Sequence, residues 1–113
     1  MMDMPRDQRP LSEQFRLVAK RWVEADGAAH LMEEMKTTVL EQKKTAYIAK
    51  HGDMPDAKVE RIVKSSHEWE VYIKTMCKQR TDANLLKRQM DYINMKHREM
   101  ISADANARKE MGL

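Results

Sequence analysis

A chain of 113 residues has room for one domain with a modest core, and 42% hydrophobic with 35% charged residues exclude both a disordered tail and a deeply buried globule. Six aromatics (Phe15, Trp22, Tyr47, Trp69, Tyr72, Tyr92) are too few for a sandwich or barrel interior, while eleven methionines supply adaptable apolar contacts. The net charge of +3 is uneven: residues 1–26 balance five basic against five acidic side chains, whereas Tyr72–Arg98 sets seven basic residues against Asp82 and Asp91.

The chain starts MMDMPRDQRP, polar and without the apolar core of a signal sequence, and Pro5 and Pro10 make residues 1–11 read as a flexible arm. No later run reaches the roughly eighteen apolar residues of a membrane span. A cytoplasmic protein is expected. Ser12 is the expected N-cap of a first helix over 12–26, in which Phe15, Val18, Ala19, Trp22 and Val23 recur at helical spacing. Asp26-Gly27 then predicts a break, since Gly costs roughly 1 kcal/mol inside a helix.

A second helix is expected over 28–50, with a seam of Ala28, Met32, Met35, Val39, Gln42, Ala46 and Ala49 in coiled-coil spacing. Gly52 supplies its left-handed C-terminal cap. Pro55 is placed at the first position of a short helix over 55–64. Ser65 and Glu68 match the capping box that opens a long helix over 66–101, with an extension to 111. Within it Tyr72, Met76, Gln79, Ala83, Leu86, Met90, Ile93, His97 and Met100 alternate in steps of four and three, and Trp69, Ile73 and Cys77 widen the stripe. The fold class is therefore all-α, a long helical hairpin or coiled-coil-like bundle within a single domain. Tyr72, Met76, Ala83, Leu86, Met90, Ile93, His97 and Met100 form a seam long enough to predict assembly with a second copy, the alternative being closure against residues 28–50.

The chain lacks the ingredients of catalysis. Three glycines build no phosphate-cradling loop, and four histidines with one cysteine show no metal-ligand spacing. No cofactor or metal is expected, and Cys77 reads as a small buried hydrophobe. Two basic clusters remain. One is Lys43, Lys44, Lys50 and His51 around Tyr47; the other is the Tyr72–Arg98 face, above all Lys74, Lys78, Lys87 and Arg88, with Tyr92 among its later cations. Flexible cations displace counterions from phosphates, and aromatic rings stack on unpaired bases. The ordinary alternative is a solvated helix surface.

The stretch from Arg21-Trp22 through Met35 to EQKKTAYIAKHGD resembles the phage recombination mediators typified by UvsY. So does the order that follows, a short helix and then a long one opening on SSHEWEVYIKTM. The tail NMKHREMISADANARKEM is similar in style to phage proteins encoded among recombination genes. The likeness covers residues 15–110, needs a short insertion between Trp22 and Lys43, and leaves the N-terminal arm unmatched. It implies a helical oligomer that binds single-stranded DNA and loads a RecA-like recombinase while displacing single-strand-binding protein. Lys43, Lys44 and Lys50 fall in the stretch corresponding to the family's DNA-contacting segment. The competing expectations are a phage-type inhibitor or adaptor of a host protein complex, such as an anti-defence protein, and a virion assembly component.

Overall fold

A computed structural model describes residues 8–112; residues 1–7 of the expected arm lie outside the described residues. Helix α1 spans Leu11–His51. It starts where the Pro10 carbonyl accepts hydrogen bonds from the backbone N–H groups of Glu13 and Gln14, both at 3.0 Å. Pro10, with its fixed φ, thus takes the capping place expected of Ser12, which lies inside the first turn.

Gly27 does not break α1. Among the described residues only Gly52 and Gly112 have positive φ, so Gly27 keeps ordinary helical backbone. The apolar spacing runs straight across it as Val18, Trp22, Ala25, Ala29 and Met32, each buried or half-buried. Burial of that continuous stripe outweighs the glycine's propensity cost, and the helices expected over 12–26 and 28–50 are one element. The inward register changes accordingly. Of the expected seam, Met32 and Val39 are half-buried, whereas Ala28, Met35, Gln42, Ala46 and Ala49 are exposed. The inward line set by Ala25 and Ala29 continues to Leu40, Lys44, Tyr47 and Ile48.

At the end of α1, Gly52 adopts φ 90° and its N–H donates to the Ile48 carbonyl at 2.8 Å, the expected left-handed cap. Helix α2 spans Asp56–Lys64, with Pro55 as N-cap and not as the first helical residue. Val59 and Val63, one turn apart, are its buried face. Ser65 then closes α2, donating from Oγ to the Arg61 carbonyl at 2.8 Å. Ser66 opens α3, His67–Glu110: its Oγ accepts the Trp69 N–H at 3.2 Å. The serine cap is therefore displaced by one residue, and with Trp69 at the third helical place the reciprocal half of a capping box is not made. Two helices separated by two serines need one for each end, and Glu68 is left free for another partner.

The chain forms two compact units. In the unit of residues 25–83, α1 and α3 run antiparallel with α2 alongside. The Tyr72 hydroxyl donates to the Met32 carbonyl at 2.6 Å, and Trp69 and Tyr72 stack with ring centroids 5.6 Å apart. Arg80 binds Glu33 through Nε and Nη2 at 3.0 and 2.5 Å, and Asp26 through Nη1 at 2.7 Å. These bonds raise the Arg80 pKa further, while the hydrogen bond from Arg80 is the main cause lowering that of Glu33. The stability Glu33 adds is present above its ordinary titration range and is lost as pH falls through its lowered folded value.

The other unit joins residues 8–24 to 84–112. Val18 and Ile93 are its buried residues, and Leu11 and Phe15 share a small pocket with Ile93 and His97. The α3 seam thus closes on the chain itself. Tyr72, Met76, Ala83, Leu86, Met90 and Ile93 are buried or half-buried within their own units, while His97, Met100 and every other residue from 94 to 112 are exposed. Tyr72, Met76 and Ala83 turn inward in the unit of residues 25–83 and Leu86, Met90 and Ile93 in the other, so closure on the first helix extends past residues 28–50.

A Cβ built on Gly27 meets nothing within 4 Å, whereas Gly52 holds a φ that L side chains rarely adopt. Gly27→Ala should stabilise the protein by about 0.5–1 kcal/mol, and Gly52→Ala should destabilise it by about 1 kcal/mol. Thermal melts followed by circular dichroism check this; equal midpoints for the two variants would contradict the continuous helix and its cap.

Candidate nucleic-acid interface

The last turns of α1 place Lys43, Tyr47 and Lys50 at successive steps of four and three, on one helix face. That face borders an open cleft of about 330 Å³. Lys43, Tyr47, Lys50 and His51 line it from α1, Ile62 and Val63 from α2, and Ser66 and Glu68 from the start of α3. The Tyr47 and His51 rings lie 4.3 Å apart at an interplanar angle of 32°. The Lys43 ammonium sits 3.0 Å from the Glu68 carboxylate, and the Glu68 side chain is 81% exposed. Lys50 is exposed and has no ion pair among the described residues. Two ammonium groups and a ring pair thus meet at one solvent-open surface.

Lys44 does not join them. One residue on from Lys43 is about 100° further round the helix, which turns its side chain towards α2. That side chain is 7% exposed, and its ammonium binds Asp56 at 2.7 Å and Glu41 at 3.2 Å. The Asp56 carboxylate is the main cause that raises its pKa. Expected as a phosphate contact, Lys44 is instead a staple between α1 and the first turn of α2.

Lys74 is also engaged, at 2.7 Å from Glu70, whose pKa it lowers. Lys78 is exposed without an ion pair among the described residues. In the unit of residues 8–24 and 84–112, Lys87 and Arg88 are exposed beside Asn84 and Asp91 in a shallow hollow. Cys77, expected on the apolar stripe, is exposed. No described group of three or more His, Cys, Asp or Glu side chains is arranged to hold a metal, and no described helix is long and apolar enough to cross a membrane.

The chain matches no family model, no curated protein and no solved structure. Those comparisons leave the resemblance to recombination mediators resting on its residues alone.

Glu68 and Ser66 belong to the cleft although the sequence pointed elsewhere. Glu68 lies 25 positions from Lys43, and only the turn through α2 brings them together. The local Ser65-to-Glu68 spacing explained Glu68 as a cap and hid the pair.

Lys44→Ala should lower the melting temperature clearly more than Lys43→Ala, because it strips Asp56 of a buried partner while Lys43 makes only a surface pair. Melts of the two variants at neutral pH check this. A Lys43→Ala loss as large as that of Lys44→Ala would contradict the staple.

Proposed function

We propose that this chain is a helical, self-associating protein that binds single-stranded DNA and assists recombinase loading in phage-type recombination, acting by binding and not by catalysis. The observation that carries the DNA-binding part is the cleft where Lys43 and Lys50 flank the Tyr47–His51 ring pair. Ammonium groups on flexible stems suit phosphates, and an accessible ring suits the face of an unpaired base. A duplex keeps its bases stacked inside, so a ring in an open cleft favours the single strand. The recombinase and single-strand-binding protein as partners rest on the resemblance over residues 15–110. Self-association is supported by the exposed apolar side chains Met100 and Ile101 in the last turns of α3 and Met111 just past its end.

A second reading, a phage-type inhibitor or adaptor of a host protein complex, would set the same lysines against an acidic protein surface.

Binding of a fluorescently labelled single-stranded oligonucleotide across a salt series tests the proposal. Affinity should fall steeply with salt, and Lys43→Ala with Lys50→Ala should flatten the slope by about 0.7 per lost contact, alike for every base sequence. Lys44→Ala should leave the slope unchanged. No wild-type affinity at low salt would discard the DNA reading in favour of the protein-binding one. Light scattering at micromolar concentration should give a mass above that of one chain; a monomeric mass at all concentrations would remove self-association.

A further inference from the structure

On α3, Leu86, Met90 and Ile93 turn inward. Leu85, Arg88, Tyr92 and Met95 follow a parallel line in steps of three, four and three around the opposite side, and all four are exposed. Tyr92 is 59% exposed, Leu85 61% and Met95 52%. Arg88 and Lys96 stand one turn before and one turn after Tyr92, so the ring lies between two cations whose Cβ atoms are each roughly 6 Å from its own. Neither cation has an ion pair among the described residues, and no ring or cation contact there covers Tyr92. Across Asn84–Arg98 four basic residues (Lys87, Arg88, Lys96, Arg98) face one acid, Asp91.

Packing does not account for this row. An exposed tyrosine on a helix contributes little to the fold, and its hydroxyl makes no hydrogen bond among the described residues. Arg88 and Lys96 share the face of Tyr92, with Glu99 two turns beyond it, while Lys87 and Arg98 lie further round the helix; the positive charge beside the ring favours a polyanion. The cation–aromatic–cation order is what a single strand requires: a π-face for a base, with charges on either side for its flanking phosphates.

We infer that Arg88, Tyr92 and Lys96 form a second contact site for single-stranded nucleic acid, on α3 and separate in composition from the Lys43–Tyr47–Lys50–His51 cleft. The inference rests on the proposed single-strand binding and adds a stacking residue that charge counting does not supply. Tyr92 provides the stacking face, and Arg88 and Lys96 the phosphate contacts. Met95, three residues on, adds apolar surface on the same face as the ring.

The test uses the full chain and a labelled single-stranded oligothymidylate long enough to cover both sites. Tyr92→Leu should weaken binding about tenfold, as expected for the loss of one base–aromatic stack. Its salt slope should stay that of the wild type, because stacking releases no counterions. Tyr92→Phe should restore affinity. Arg88→Gln with Lys96→Gln should flatten the slope, by about 0.7 per contact. Helix content should be unchanged in all of them, since every substituted side chain is exposed. Wild-type affinity in Tyr92→Leu, alongside weakened binding in Lys43→Ala with Lys50→Ala, would overturn this site and leave the cleft standing. Unchanged DNA affinity with a reduced mass in light scattering would overturn it in favour of a contact between copies. No wild-type binding at low salt would overturn both sites together.

Discussion

The fork between Arg80 and the carboxylates of Asp26 and Glu33 sets the register of α1 against α3 through residues 25–83. Asp26 and Glu33 stand seven residues apart on α1, two turns along one face, so a single guanidinium can span them only at one offset of the two helices. A bidentate guanidinium–carboxylate pair is directional, and sliding either helix by a turn would leave it unmade. Apolar stripes of Ala, Met and Leu tolerate such slips far better, because their contacts are not directional. With Arg80 fixed, Tyr72 meets the Met32 carbonyl and Glu68 arrives beside Lys43. The cleft at the end of α1 therefore depends on an ion-pair cluster several turns away from it.

Three lysines within eight residues of α1 end in three different situations for one geometric reason. Lys43 and Lys50 are seven apart and share a face; Lys44 is rotated onto the side that α2 covers. Its long stem can lie along apolar surface while the ammonium reaches Asp56 and Glu41. The sequence motif KKTAYIAK thus holds a buried staple (Lys44), a cation in a surface pair with Glu68 (Lys43) and one with no ion pair among the described residues (Lys50). Charge counting treats them as equal, and only the direction of α2 separates them. Lys74, held by Glu70, is like Lys43 a cation in a surface pair.

Much of the fold was legible in the sequence because it depends on local chemistry. Gly52 ends α1 since a positive φ is needed there, and the four-three alternation from Tyr72 to Ile93 marks the buried line of α3. The failures share a cause: each assigned a local role to a residue whose environment is set by distant chain. Gly27 read as a break because propensity was weighed without the stripe that crosses it. Ser65 matched a capping box, but the end of α2 needed that serine first. Cys77 lay at the edge of a stripe whose covering helix leaves it in water. Of the candidate site, the cations and Tyr47 were readable, while Glu68 was not, since no sequence spacing reports a pair made across α2.

Both proposed contact sites set a ring beside cations, and an unpaired base, unlike one stacked in a duplex, has a free face to lay against a ring. Phosphate contacts from Lys43, Lys50, Arg88 and Lys96 would then set affinity and salt dependence, while Tyr47 and Tyr92 would contribute stacking that every base can satisfy. Phosphate contacts and stacking on a ring carry no base-edge information. Binding of this kind is sequence-tolerant. That is the property demanded of a protein that must occupy a strand wherever it becomes exposed, and a different one from the fixed, complementary surface by which an inhibitor selects one partner.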